Sequence, residues 1–260
     1  MNIVVLSDFN SASQQVIRAA APSATVHFYK ALPIDQLPAD VLSSADVLYT
    51  GSPLPDPDKA PRLKWVQAHS AGVDHLLSHP LFKVRANSGS ERVLLTTASG
   101  VHAINISEYI VMMMLAFGHR LPLAFKMKQR GEWDVNRPAY VPAELYGATL
   151  GLIGYGAIGR RVAQVSASLG MHVAVLRHHA NGESAVDGIT FYRRERLSEM
   201  LGVCDYVALT APLTPSTFHM MDRMAFAAMK QSACLINIAR GDLVDEAALI
   251  DALTRGVILG

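Results

Sequence analysis

The sequence has few charged residues and no long apolar run. Only 17% of its 260 residues are charged and the formal net charge is +1. It therefore lacks the concentrated excess of Lys and Arg that a dedicated nucleic-acid binder carries. The longest apolar stretch, residues 110–118, falls well short of the roughly 20 residues that a membrane-spanning helix needs. We expect neither a nucleic-acid partner nor a membrane partner.

Cysteine is also scarce, with two residues in the whole chain. Cys204 and Cys234 both lie in apolar, strand-like stretches, which favours buried free thiols over a disulfide or a reactive thiol. The N-terminus carries no basic region, and its apolar run is too short for a signal peptide. We expect a cytoplasmic protein.

Half of the residues are hydrophobic, and the length suits one large or two modest domains. In the first hundred residues, short apolar runs alternate with helical or irregular stretches. This alternation predicts a parallel sheet that is covered on both faces. The predicted strands are residues 3–6, 25–28, 47–49, 65–67 and 93–96.

A second α/β unit is predicted after a long helix over residues 103–129, whose apolar residues recur every three or four positions. The unit's strands are predicted at residues 148–153, 172–176, 205–210 and 233–238. A helix is predicted over residues 157–169, and Asp245 is expected to cap another that runs to residue 253. Residues 257–260 are expected to begin a further strand.

The most informative motif is a glycine-rich turn between the predicted strand 148–153 and the helix that follows. Gly154 permits a tight turn, Gly156 lets the backbone approach a pyrophosphate, and Gly159 allows the helix to pack closely on the strand. An ordinary glycine-rich loop could have the same glycine spacing, but the strand–turn–helix context favours dinucleotide binding.

The residues after the second strand of this unit bear on the choice of cofactor. NAD-binding sites place Asp or Glu there, to accept hydrogen bonds from the ribose hydroxyls. This chain has Arg177 and His178 instead, and a guanidinium can hold a 2′-phosphate by paired hydrogen bonds. We predict that NADP is preferred over NAD, the alternative being a solvated basic turn. His178 and His179 face apart on a strand end with no carboxylate or Cys beside them, so no metal site is predicted.

Two further segments follow predicted strands, where open parallel sheets bind ligands. The first begins at Thr210 and contains Pro212 and Thr217. The second contains Arg240, which is costly to place beside an apolar strand end unless it has an anionic partner. A substrate carboxylate held by two hydrogen bonds would be such a partner. The alternative is an Arg whose charged end simply reaches solvent or pairs with the neighbouring Asp242.

Taken in order, these segments resemble the D-isomer-specific 2-hydroxyacid dehydrogenase family over essentially the whole chain. The matching segments are residues 63–67 (LKWVQ), 70–74 (SAGVD), 100–108, 150–159 (LGLIGYGAIG), 170–171, 211–217 and 237–246 (NIARGDLVDE). So many matches in one order are more specific than the glycine-rich turn alone.

The resemblance implies an α/β protein of two domains. Residues 1–102 would be a flavodoxin-like substrate-binding domain, and residues 103–260 a Rossmann NAD(P)-binding domain with a doubly wound parallel sheet. It also implies an oxidoreductase that passes hydride between a nicotinamide and a small 2-keto or 2-hydroxy acid, such as glyoxylate or hydroxypyruvate. A homodimer built around the second domain is expected as well.

The same resemblance assigns roles to individual residues. Arg240 would be catalytic, clamping the substrate carboxylate and carbonyl, and Ser70, Ala71 and Gly72 would offer backbone N–H groups to that carboxylate. The cofactor would contact Gly154, Gly156, Ala157, Ile158, Gly159, Arg177, His178, Ala211, Pro212, Thr217, Ile238 and Ala239.

One departure from the family pattern concerns proton transfer. Reduction of a ketone needs a proton donor, and the family uses a His oriented by a Glu in segments beyond the predicted helix that ends near Arg255. None of the ten His residues matches that position. We therefore expect the second domain to be incomplete at its C-terminus and the acid–base pair to be missing. The alternatives are a non-catalytic dinucleotide-binding or interaction protein of the same fold, and a relative that acts on formate or phosphite.

Overall fold

The computed structural model describes residues 1–30, 32–51, 53–87, 93–133, 141–177 and 188–260. These residues form two compact units, Met1–Val101 and His102–Gly260. The division lies one residue before the boundary expected from the sequence. Each unit has its own parallel sheet, so we describe them separately.

The first unit is a five-stranded sheet in which every strand is parallel to its neighbours. The strand order is β2-β1-β3-β4-β5, the order of flavodoxin-like folds. Apolar residues such as Val4, Leu48 and Val66 are fully buried in its core. The strands are β1 (Asn2–Leu6), β2 (Thr25–Tyr29), β3 (Val47–Thr50), β4 (Trp65–Ala68) and β5 (Leu94–Thr96), and the helices are α1 (Ser11–Ala20), α2 (Ala39–Ser44) and α3 (Pro80–Asn87).

The second unit contains another sheet of five parallel strands, in the order β10-β9-β6-β7-β8. The chain adds β7 and β8 on one side of β6 and then crosses to add β9 and β10 on the other. This is the Rossmann arrangement, and ligands bind where the order reverses. The strands are β6 (Thr149–Ile153), β7 (His172–Leu176), β8 (Ile189–Tyr192), β9 (Tyr206–Leu209) and β10 (Cys234–Asn237). The helices are α4 (Ala103–Gly118), α5 (Leu121–Gln129), α6 (Ala157–Ser168), α7 (Leu197–Val203), α8 (Arg223–Ala228) and α9 (Glu246–Thr254).

Both faces of the second sheet are covered by helices. On one face, Ile110 of α4 and Val162 of α6 pack with Leu150 and Leu152 of β6. On the other face, α7, α8 and α9 pack against β6 and β9, with Phe226 of α8 almost fully buried. The predicted mixed α/β architecture with two parallel sheets is confirmed, and the second sheet is covered on both faces as expected.

The prediction of one long helix over residues 103–129 is wrong. The chain forms α4 and α5 instead, with Arg120 between them in the left-handed region at φ 53°. Pro122 explains the break, because in an unbroken helix its ring would collide with the carbonyl of Gly118. No single helix in the described ranges is long and apolar enough to cross a membrane. Only α4 and α5 taken together would qualify, by length and composition alone, and they are bent by 61°.

Three smaller differences concern the second unit. Strand β8 was not predicted from the sequence. Residues 257–260 are a bend followed by irregular chain rather than a strand, although the Leu259 N–H donates to the Ala233 carbonyl at 3.0 Å and the Leu235 N–H donates to the Gly260 carbonyl at 2.8 Å. Cys204 lies at the C-cap of α7 rather than in a strand.

Candidate functional site

The turn between β6 and α6 requires glycine at two positions. Gly154 has φ 105°, and a Cβ there would lie 2.7 Å from the backbone nitrogen of Ala211. A Cβ on Gly159 would lie 2.5 Å from the Gly154 carbonyl oxygen. The turn therefore lies in close contact with both α6 and the segment after β9, because neither glycine carries a side chain.

The N-terminus of α6 is left open by this turn. Gly156 is the N-cap residue, no side chain caps the helix, and a Cβ on Gly156 would meet nothing within 4 Å. The first N–H groups of a helix have no acceptor within the helix, and they carry the positive end of its dipole. This position therefore offers free donors and open space to an anion.

A cavity of about 240 Å³ lies beside this turn, at the carboxyl ends of the strands where the order of the sheet reverses. One wall is the segment after β9, which Thr217 closes: its Oγ1 accepts the Thr214 N–H at 2.8 Å and donates to the Pro212 carbonyl at 2.8 Å. The cavity is lined by five of the predicted cofactor residues: Gly154, Arg177, Ala211, Pro212 and Thr217.

Arg177 is the charged residue on which the predicted preference for NADP over NAD rests. Its N–H donates to the Tyr192 carbonyl at 3.2 Å, which ties the end of β7 to the end of β8. Its guanidinium lies 4.0 Å from the centre of the Phe191 ring, within the range of a cation–π contact. Its Nε is buried and has no hydrogen-bond partner among the described residues. A buried donor without a partner is costly, which favours an anion in this cavity.

Arg240 lies in a loop to which the Asn237 side chain contributes two hydrogen bonds. The Oδ1 atom of Asn237 accepts the Ala239 N–H at 3.0 Å, and its Nδ2 donates to the Arg240 carbonyl at 2.8 Å. The Nη1 atom of Arg240 donates to the Ala239 carbonyl at 2.9 Å, and the side chain is half-buried. The loop therefore holds a guanidinium at the carboxyl end of β10, two strands away from the glycine-rich turn.

The remaining predicted residues divide into four groups. Ala157 and Ile158 begin α6 beside the open N-terminus, and Ile238 and Ala239 follow β10 next to Arg240. In the first unit, the loop after β4 contains Ser70, Ala71 and Gly72, where the Ser70 hydroxyl donates to the Gly72 carbonyl at 2.9 Å. His178 lies outside the described residues.

Sequence reasoning gave no individual role to three residues of this site. Thr210 Oγ1 donates to the Gly154 carbonyl at 3.0 Å and so braces the turn from β9. Tyr155 lies edge-on to Phe191, with ring centres 5.4 Å apart. Arg194 follows β8 and lines the same cavity as Arg177. Because β8 was not recognised, the arginine-rich run after it was not placed at the carboxyl edge of the sheet.

Neither cysteine belongs to this site. Burial raises the pKa of the Cys204 thiol to about 12 and that of the Cys234 thiol to about 11. The prediction of buried free thiols is confirmed. Within the ranges that the structure describes, no group of three His, Cys, Asp or Glu side chains could hold a metal ion.

A larger groove of about 930 Å³ runs along β10 and α9. Its lining includes Asp242, Asp245 and Glu246, which would repel a phosphate-rich ligand. The smaller cavity beside the glycine-rich turn is therefore the better candidate for a nucleotide.

The residues around the smaller cavity fit a dinucleotide. Gly156 leaves room where a pyrophosphate would approach the open N-terminus of α6, and Arg177 offers a buried donor at the end of β7. The strand order and the turn together define a Rossmann-type dinucleotide-binding unit.

Comparison with known proteins gives the family. The family model described as "D-isomer specific 2-hydroxyacid dehydrogenase, NAD binding domain" matches residues 111–260. The chain belongs to this family of NAD(P)-dependent dehydrogenases, as its ordered motifs predicted.

Individual relatives agree with this assignment. The chain is 33% identical to a D-3-phosphoglycerate dehydrogenase of Methanocaldococcus jannaschii, over 77% of this chain and 36% of that protein. It is 32% identical to a glyoxylate/hydroxypyruvate reductase B of Enterobacter sp. (strain 638), over 85% of this chain and 67% of that protein. It thus spans between about one third and two thirds of the length of these curated relatives. The crystal structure of a D-lactate dehydrogenase from Aquifex aeolicus with NAD and lactic acid is similar with a TM-score of 0.78, 25% identity, and coverage of 100% of this chain and 75% of that one.

Proposed function

We propose that this protein transfers hydride between NADPH and a small 2-keto acid, such as glyoxylate or hydroxypyruvate. One observation carries the proposal: the glycine-rich turn and the Arg240 loop lie at the same carboxyl edge of one sheet, after β6 and β10. A site for a dinucleotide and a cation for a carboxylate are therefore held by one rigid element.

Arg240 would bind the acid and orient its carbonyl. A guanidinium holds a carboxylate by two parallel hydrogen bonds, which fixes direction as well as position. Asn237 would keep the loop in the shape that presents this side chain, since its amide accepts the Ala239 N–H and donates to the Arg240 carbonyl. When bound, the nicotinamide supplies or accepts the hydride. The expected role of the Ser70, Ala71 and Gly72 backbone N–H groups as donors to a substrate carboxylate stays a prediction.

Replacing Arg240 by Lys tests this role, because Lys keeps the charge but loses the paired geometry. We expect glyoxylate to bind the NADPH complex roughly tenfold more weakly, the loss of about one charge-assisted hydrogen bond. Titration calorimetry measures this change, with Arg223→Lys as the control on α8. Equal affinities for the Arg240 variant and the unsubstituted chain would contradict the proposal.

The preference for NADPH over NADH is supported by Arg177, whose buried Nε has no partner among the described residues. An acidic residue at this position would repel a 2′-phosphate, whereas Arg attracts it. Fluorescence titration with both cofactors tests the preference. Tighter binding of NADH would overturn it, whatever substrate the protein uses.

Catalysis is a separate question from cofactor binding. The absence of the family's acid–base His and Glu from these 260 residues stays a prediction. Assaying glyoxylate and hydroxypyruvate with NADPH tests whether these residues suffice for turnover. Turnover at ordinary enzyme rates would mean that another residue delivers the proton. NADPH binding without turnover by the complete protein would favour the non-catalytic alternative.

A homodimer and a cytoplasmic location also remain proposals. Exposed apolar side chains on α4 and α5 support the dimer. So many exposed apolar side chains on one pair of neighbouring helices are unusual for a monomer. The exposed residues are Ile104, Tyr109, Met112, Leu115, Leu121 and Phe125. Sedimentation equilibrium of the protein and of Met112→Glu should show a dimer that the charged variant weakens. A monomer at all concentrations would contradict the dimer, and cell fractionation tests the location.

A further inference from the structure

We infer that Arg194 is a second determinant of cofactor choice, which binds the same 2′-phosphate as Arg177. The inference rests on the proposed preference for NADPH and assigns it to a pair of guanidinium groups. Arg194 begins the short 3₁₀ helix Arg194–Arg196, directly after β8.

The sheet brings the two arginines together. Strands β7 and β8 are parallel neighbours with Leu176 opposite Tyr192, and each ends immediately before its arginine-bearing segment. The hydrogen bond from the Arg177 N–H to the Tyr192 carbonyl fixes this relation at the carboxyl edge. Arg177 and Arg194 then line the same cavity of about 240 Å³.

The first guanidinium is held in place by aromatic rings. Arg177 lies over the face of Phe191, and Phe191 receives the edge of Tyr155 from the glycine-rich turn. Phe191 is 5% exposed, so this support is part of the packed core. The Arg177 side chain is therefore oriented before any ligand arrives, yet its Nε lacks a hydrogen-bond acceptor in the described part of the chain.

The charge balance in the cavity favours a dianion. Among the described residues that line it, two are arginines and none is Asp or Glu. Two arginines in the lining of one small cavity carry like charges, which an anion bound between them would offset. A phosphomonoester carries a charge of about −1.5 to −2 at neutral pH and has three acceptor oxygens, so it can satisfy both.

The other arginines of this run are directed elsewhere. Arg196 forms an ion pair with Glu199 and lies 5.2 Å from the centre of the Tyr192 ring. Arg193 is exposed and is not part of the cavity lining. Arg193 therefore provides a matched control, since it has the same charge and is the adjacent residue.

The test compares binding of adenosine 2′-monophosphate, adenosine 5′-monophosphate, NADPH and NADH. We expect Arg194→Ala to weaken binding of the 2′-monophosphate and of NADPH roughly ten- to hundredfold, the range for a lost charge-assisted hydrogen bond. Binding of NADH and of the 5′-monophosphate should change less than about twofold. Arg193→Ala should leave all four affinities unchanged, and Arg194→Lys should retain part of the 2′-phosphate affinity.

Several results would overturn the inference. One is no binding of the 2′-monophosphate by the unsubstituted chain. Others are equal weakening of NADPH and NADH in Arg194→Ala, or the same loss in Arg193→Ala. Arg194 is exposed, so its replacement should leave the folded state intact, and the unchanged NADH affinity checks this. These are binding measurements. A failure to reduce 2-keto acids would therefore contradict the proposed reaction without affecting the conclusion about 2′-phosphate binding by Arg194.

Discussion

The two units each contain five parallel strands and are braced in the same way at the amino ends of those strands. In the first unit, Asp46 accepts the Asn2 N–H at 2.7 Å and pairs with Arg62 at 3.2 Å. In the second, Asp205 accepts the Thr149 N–H at 2.8 Å and pairs with Lys230 at 2.8 Å. Each aspartate precedes a strand that flanks the first strand of its sheet.

At the carboxyl ends, by contrast, the two units differ. The helix after β1 is capped by its own sequence, because the Asn10 side chain accepts the Ser13 N–H at 2.9 Å. The helix after β6 has Gly156 at the equivalent position and no side-chain cap. The same sheet architecture thus closes one helix N-terminus and leaves the other open to a ligand.

This difference locates function in the connecting segments rather than in the fold. The amino-end aspartates stabilise each sheet, and the carboxyl-end loops decide what each sheet can bind. Substitutions at the two ends should therefore separate stability from binding.

The largest effect is expected from Gly154→Ala. The change forces a side chain into a left-handed conformation and places its Cβ 2.7 Å from the Ala211 nitrogen. We expect a loss of roughly 2–4 kcal/mol in the free energy of unfolding, together with loss of NADPH binding. Gly147→Ala is the control, since Gly147 also has positive φ but open space, and should cost about 1–2 kcal/mol. Urea denaturation measures both, and equal costs would show that the contact with Ala211 does not matter.

Exchanging the caps should alter binding more than stability. In Gly156→Asn, the new side chain can accept an N–H of α6 as Asn10 does in α1, so stability should rise by a few tenths of a kcal/mol. NADPH should bind about tenfold more weakly, because that donor is no longer free. Asn10→Gly should cost a few tenths of a kcal/mol and leave NADPH affinity unchanged. Unchanged affinity in Gly156→Asn would argue against the open helix terminus as the phosphate site.

Replacing the amino-end aspartates should lower stability without changing binding. Asp46→Ala and Asp205→Ala each leave a backbone N–H without its acceptor, at a cost of about 1–3 kcal/mol. Hydrogen exchange followed by mass spectrometry should show the loss in the substituted unit, while the NADPH affinity measured alongside stays the same. If Asp205→Ala lost NADPH affinity under conditions where the unit is folded, the amino ends of the strands would also affect binding. That result would contradict the assignment of stability to the amino ends and of binding to the carboxyl ends.

The smallest expected effect is on the stability of the fold at acid pH. The hydrogen bond from the Asn2 N–H, assisted by Arg62, holds the pKa of Asp46 below its ordinary value. Because the folded pKa lies below the unfolded one, the stabilisation is complete above about pH 4 and is lost as the pH falls through the folded pKa. Asp46→Asn should therefore unfold with a weaker dependence on pH below about pH 4. Identical acid-unfolding curves for the variant and the unsubstituted chain would contradict this.

Much of the sheet architecture could be predicted from the sequence, because buried parallel strands appear as short apolar runs bounded by turns. Strand β7 was predicted with its observed bounds, and Asp245 caps α9 as expected by accepting the Ala248 N–H. The main error in the helices has a local cause, because Pro122 ends the helical hydrogen-bond pattern. The left-handed Arg120 interrupts an apolar pattern that otherwise continues from α4 into α5.

The candidate site was predictable only in part. Gly154 and Gly159 were recognisable because their spacing reflects a backbone requirement that the structure shows directly. Arg194 was not, because its role depends on β8 being the neighbour of β7 in space. The roles of Ser70, Ala71, Gly72 and Arg240 stay predictions.

Both cysteines lie in the second unit, one in each of its two apolar layers, and the first unit has none. Their raised pKa values keep the reactive thiolate form scarce at neutral pH while the protein is folded. The rate of thiol alkylation therefore measures opening of the second unit alone. The rate at which label appears on Cys204 and Cys234 reports how often the nucleotide-binding half opens, and added NADPH should slow it in proportion to site occupancy.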